Sequence, residues 1–216
     1  MSETLAARAH AILHDWIQSE SLRKHCYAVA DSMKHFAQLH GEDADLWEAV
    51  GLLHDMDYER HPMAVVGVGD SGGTEQPVSG EPGSATPAGA GHPFVGVAWL
   101  RDKGWSEEVC RAILSHADYS GVSRETPLEK TLYAVDELSS FVVAVALVRP
   151  TKSIHDVDVR AVKKKMKDKA FARAVNRDDI IHGAEELGML LDDVITNVIT
   201  ALQADAHRLG LAGTSA

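Results

Sequence analysis

Six side chains of this 216-residue sequence have the chemistry and the surroundings to hold metal ions: His25, His54, Asp55, His92, His116 and Asp136. The clearest piece is Ala49-Val50-Gly51-Leu52-Leu53-His54-Asp55, an apolar run that ends in an imidazole beside a carboxylate. Neutral imidazole and ionised carboxylate form a mixed N/O donor pair suited to Mn, Fe, Co, Ni or Zn. Burying that pair in apolar surroundings is costly without a cation or hydrogen-bond partners. The dipeptide alone carries little weight, because the chain has twelve His. His14-Asp15 and His155-Asp156 repeat it among polar neighbours and read as solvated pairs. Asp136 stands inside a long apolar stretch, where a carboxylate calls for a cation or a buried partner. Two ions sharing one carboxylate need about this many ligands, and such a pair suits hydrolysis at phosphorus.

The hydrophobic spacing supplies the helices that carry these groups. Residues 4–18 place Leu5, Ala9, Ile12, Leu13 and Trp16 at helical intervals. A second helix over 21–40 aligns Leu22, Cys26, Val29, Met33 and Phe36, with His25 beside that face and Gly41 as its stop. Asp45 and Glu48 resemble a capping box opening the helix that ends at His54. Pro93 starts a helix to about Lys103, just after His92, and Gly104 ends it. Ser106 caps the next, with Glu107 and Glu108 in its first turn and His116 at its end. Thr126-Pro127-Leu128-Glu129 opens a long apolar helix to Arg149-Pro150, with Asp136 in its middle. A lysine-rich helix is expected over Asp158–Ala174, a short one from Asp178, and a last one over Asp192–Arg208. No alternating strand pattern and no repeat appears, so the expected fold is all-α, a helical bundle with the metal site in its core.

The chain reads as one domain over 1–216, with a core at about 20–150 and a C-terminal helical extension at 151–209. Residues 64–91 read as an insertion, richest in Gly, Ser, Pro, Thr and Ala from Gly67 to Gly91. Such a composition cannot bury enough surface to offset the entropy of ordering; a lid and an inert insertion both fit it. With 45% hydrophobic and 25% charged residues, the rest can bury a core. The net charge of -11 argues against a nucleic-acid polymer as partner. Cys26 and Cys110 make no disulfide framework and read as buried thiols of a reducing compartment. No basic leader followed by an apolar run and no membrane-length apolar segment is found, so a cytoplasmic protein with no membrane partner is expected.

The ordered combination His25, His54-Asp55, Asp136 resembles the HD-domain superfamily of metal-dependent phosphohydrolases. His92 and His116 match the members that hold two metals, among them HD-type diadenosine tetraphosphate hydrolases and cyclic-dinucleotide phosphodiesterases. The likeness covers roughly residues 20–150. Segments such as His54-Asp55-Met56-Asp57-Tyr58-Glu59, Ser115-His116-Ala117-Asp118-Tyr119, Val148-Arg149-Pro150 and Lys163-Lys164-Lys165-Met166-Lys167 look like a bacterial subgroup of small HD proteins. The resemblance implies two divalent transition-metal ions (Fe, Mn, Co, Ni or Zn). One would take His25, His54, Asp55 and Asp136, the other His92 and His116 with Asp55 shared. It further implies that a metal-activated water cleaves a phosphoester or phosphoanhydride of a small, anionic, nucleotide-like substrate. Catalytic roles then fall to Asp55, His54, Asp57 and Arg124, with Asp57 and Asp118 orienting imidazoles. Arg60, Arg124, Arg149 and Lys164 are candidate phosphate contacts. His61 reads as a loop histidine, Lys163–Lys167 as a solvated helix face, and Trp99 and Trp105 as packing. The alternative is a di-iron oxygenase resembling inositol oxygenase, which uses the same six ligands. Oligomeric state stays open, a homodimer included.

Overall fold

The computed structural model describes residues 3–62 and 91–213, and over them the chain is all-α. Residues 64–90 of the expected insertion, and with them the question of a lid, lie outside the described residues. The helices in order are α1 (Leu5–Trp16), α2 (Glu20–His40), α3 (Ala44–Leu53), α4 (Phe94–Asp102) and α5 (Glu107–Ser115). They continue with α6 (Pro127–Leu147), α7 (Val159–Met166), α8 (Arg177–Leu187), α9 (Leu191–Ala204) and α10 (Ala206–Leu209).

Two long helices, α2 and α6, form the spine. Ser19 starts α2 by accepting from the Leu22 N–H at 3.3 Å, and Gly41 ends it at φ 73°, a left-handed conformation that suits glycine. Thr126 and Glu129 form a capping box at the start of α6, each side chain accepting from the other's backbone N–H. Val29, Met33 and Phe36 of α2 and Leu132, Leu138 and Phe141 of α6 are fully buried, along with Val194, Val198 and Leu202 of α9. Each such side chain contributes about 1.5–3 kcal/mol on leaving water. Two glycines set how closely the helices approach. A Cβ at Gly51 of α3 would lie 2.6 Å from the Ala30 Cα of α2, and one at Gly183 of α8 would lie 2.5 Å from the Ala134 Cα of α6.

Local signals place α1 to α6 well, but four details differ from expectation. Asp43, not Asp45, caps α3, accepting from the N–H groups of Asp45 and Leu46. Asp45 instead accepts from the Leu5 and Ala6 N–H groups at 2.7 and 3.2 Å, tying α1 to α3, while Glu48 pairs with Lys34. The lysine-rich helix stops at Met166 rather than Ala174. Phe171 turns in to pack edge-on against Phe141, and the Arg177 guanidinium gathers the carbonyls of Phe171, Ala172 and Val175, with Asn176 rather than Asp178 capping α8. The last helix breaks at Asp205, whose carboxylate pairs with Arg208 at 2.7 Å. Cys26 and Cys110 are buried free thiols, and no single helix among the described residues is long and apolar enough to cross a membrane.

Candidate metal centre

Five helices deliver six groups to one place. His25 projects from α2, His54 closes α3 with Asp55 in the turn behind it, and His92 precedes α4. His116 closes α5, and Asp136 lies midway along α6. They form two triads, His25–His54–Asp136 and Asp55–His92–His116, with the ligand atoms of each triad within 4.8 Å of one another. In the first, His25 Nε2 lies 3.0 Å from His54 Nε2 and 3.1 Å from Asp136 Oδ1. In the second, His92 Nε2 lies 3.2 Å from both His116 Nε2 and Asp55 Oδ1. Asp55 joins the two: its other oxygen, Oδ2, is 3.4 Å from His25 Nε2 and 3.6 Å from His54 Nε2.

The imidazoles are held from behind. His54 donates from Nδ1 to the Gly51 carbonyl at 2.8 Å, and His116 donates to the Ile113 carbonyl. His92 donates to the Asp57 carboxylate at 2.7 Å, and His25 Nδ1 is hydrogen-bonded with Ser140 Oγ at 2.8 Å. With the Nδ1 atoms engaged outward, the Nε2 atoms face inward in two pairs, His25 with His54 and His92 with His116. Facing lone pairs at hydrogen-bond distance repel, whereas a cation between them binds both, so this donor set fits divalent metal ions.

Titration tells the same story. Burial opposes the charged form of His25, but Asp136 and Asp55 outweigh it and carry its pKa up to about 10. His54 is raised in the same way against its own burial. Burial also opposes ionisation of Asp55 and Asp136, yet His54 and His25 hold both below the usual carboxylate range. His116 goes the other way: burial, then the neighbouring His54, lowers it to about 4. The carboxylates demand positive charge, from a proton or from an ion. Because the folded pKa of His25 is raised, its contribution to stability is whole below its ordinary value near 6.5 and is lost as pH rises toward 10. Metal-free protein should therefore melt at falling temperature from about pH 7 to 8.5, and saturating divalent metal should remove that decline. Thermal melts with and without EDTA across that window check it; parallel profiles would contradict it.

Asp57 is buried and spends one oxygen on His92 and the other on the Gly96 N–H at 2.6 Å, so it fixes that ring. Asp57→Asn should weaken metal binding at the second triad by about 10–100-fold while leaving the first in place, as read by equilibrium dialysis. Asp118 is exposed and pairs with Arg124 at 2.7 Å, and it makes no hydrogen bond to an imidazole among the described residues. Arg124 is further engaged by Glu186 at 2.7 and 2.8 Å and lies over the Tyr133 ring. Arg60 donates to the Asp15 carbonyl and Arg149 to that of Asp156, while Lys164 is exposed. His61 helps through its backbone carbonyl, which accepts from the His92 N–H at 2.7 Å. His14 and His155 are exposed, and Trp105 is packed inside.

The triads open onto a cleft of about 630 Å³, and none of Arg60, Arg124, Arg149 or Lys164 lines it. Its lining includes Tyr58, Tyr119, Tyr133, Glu137 and Asp179, to none of which the sequence assigned a role. Ser140 was also missed, though its position four residues after Asp136 puts it on the same face of α6. A family model described as HD domain matches residues 22–140, more than half of the chain and all six ligand residues. Comparison with curated proteins and with solved structures returns no match.

Proposed function

The chain belongs to the HD-domain family, and from that premise we propose that it is a metal-dependent phosphohydrolase acting on a phosphoester or phosphoanhydride of a small substrate. One observation carries this reading: a single carboxylate, Asp55, whose two oxygens face two separate ligand triads. A pair of divalent ions held there would lower the pKa of water and neutralise charge developing on a phosphoryl group. The chain's part is to hold the donors ready. Four outward Nδ1 hydrogen bonds fix the rings, so no reorientation is needed when the site fills. Asp57 and the His61 carbonyl anchor His92, the ring farthest from a helix interior. The Tyr119 hydroxyl adds a donor to the His92 carbonyl at 3.2 Å and covers that side of the cleft.

Elemental analysis of protein purified without chelator, followed by phosphate release from a panel of monoesters, diesters and dinucleoside polyphosphates, tests the proposal. Bound transition metal and phosphate release that stops on chelation are expected. Turnover that requires O₂ and releases no phosphate would overturn it.

A further inference from the structure

The charge on the cleft wall narrows the substrate. Besides the metal ligands, the charged side chains lining the cleft are Asp118, Glu137 and Asp179. No Lys or Arg lines it among the described residues, and residues 63–90 contain neither. Lys169 and Arg173 belong to an adjoining open pocket that shares only Ala174, Val175 and Asn176 with the cleft. Ions on the triads can neutralise one phosphoryl group, but a polyphosphate would lay further negative charge against carboxylates. Asp179 accepts from the Tyr133 hydroxyl at 3.2 Å and Glu137 from the Asn176 N–H at 3.3 Å, and neither has a cationic partner among the described residues. Burial, with Asp118 adding to it, raises the pKa of Asp179, the mark of a carboxylate short of positive charge. At the mouth, Tyr58 and Tyr119 are 43% and 52% exposed, and both sit against His92, by ring packing and by hydrogen bond respectively. Carboxylates without a cationic partner and exposed aromatic rings lining one cleft attract an ammonium group.

We propose that the substrate is a small phosphomonoester carrying an ammonium group, its phosphoryl end on the ligand triads and its cation against Asp179 and Glu137 in the same cleft. This rests on the phosphohydrolase reading and replaces the expected nucleotide-like substrate by a narrower class. Hydrolysis would add water across the ester P–O bond and release inorganic phosphate and an amino alcohol.

Binding separates the two ideas. Calorimetry on the metal-loaded full chain, without oxygen, would compare 3-aminopropylphosphonate with butylphosphonate, which differ by ammonium against methyl and have no ester bond to cleave. The ammonium ligand should bind roughly tenfold tighter or more, and Asp179→Asn should bring the ratio of the two affinities close to one. Equal affinities, no binding of either, or tighter binding of AMP or ADP would overturn the proposal. Phosphate release is measured in parallel from phosphoethanolamine and propyl phosphate. Release from both with equal phosphonate affinities removes the ammonium specificity and keeps the hydrolase. An ammonium preference without phosphate release removes the hydrolase and keeps the ligand class.

Discussion

Asp55→Asn is expected to empty the metal centre and to lower turnover by roughly a thousandfold or more, the scale set by several kcal/mol of lost charge stabilisation. The reason lies in its two oxygens. Oδ1 is 3.2 Å from His92 Nε2 and Oδ2 is 3.4 Å from His25 Nε2, so one substitution touches both triads. An amide keeps the shape but surrenders the negative charge and offers one acceptor in place of two. The second triad is left with two imidazoles, His92 and His116, and the first loses the carboxylate that reaches across to it. Elemental analysis should find less than one ion per chain, with phosphate release falling in step. Asp118→Asn is the control: Asp118 is exposed and paired with Arg124, so metal content should hold. Full metal occupancy in the Asp55 variant would show that the carboxylate does not bridge.

Gly51→Ala should be the most destabilising single-methyl addition in the described chain after its counterpart at Gly183. The new Cβ would lie 2.6 Å from the Ala30 Cα and 2.8 Å from the Ala30 N, which are backbone atoms of α2 and cannot swing aside. Relief requires α3 to shift, at about 3 kcal/mol, or roughly 6–12 °C in Tm for a chain of this size. The cost reaches the site as well, because His54 hangs from the Gly51 carbonyl and Asp55 follows it. Metal affinity should therefore fall with stability. Gly41→Ala makes the comparison: nothing lies within 4 Å of its added Cβ, so only the left-handed strain at φ 73° remains, about 1–2 kcal/mol. Calorimetric melts of the two variants, with metal content, decide the matter; a Gly51 variant melting like wild type would mean that α2 and α3 do not meet backbone to backbone.

The sequence by itself determined the all-α class, the starts of α5 and α6, the buried stripes, and the six side chains that meet in the two triads. Each depends on a rule that acts within a few residues: a cap accepts from an N–H two or three positions on, and an apolar face repeats every 3.6 residues. The His54-Asp55 doublet was legible for the same reason, since an apolar run of one helix ends on it. Tertiary structure alone decided which carboxylate caps and which crosses: Asp43 and Asp45 are equally good caps by type, and only the approach of α1 gave Asp45 to Leu5. It decided that Arg124 spends its guanidinium on Glu186, 62 residues away, and that Tyr58, Glu137 and Asp179 line one cleft. Long polar side chains choose partners by distance in space, and a chain folded by packing brings together residues that no local pattern connects.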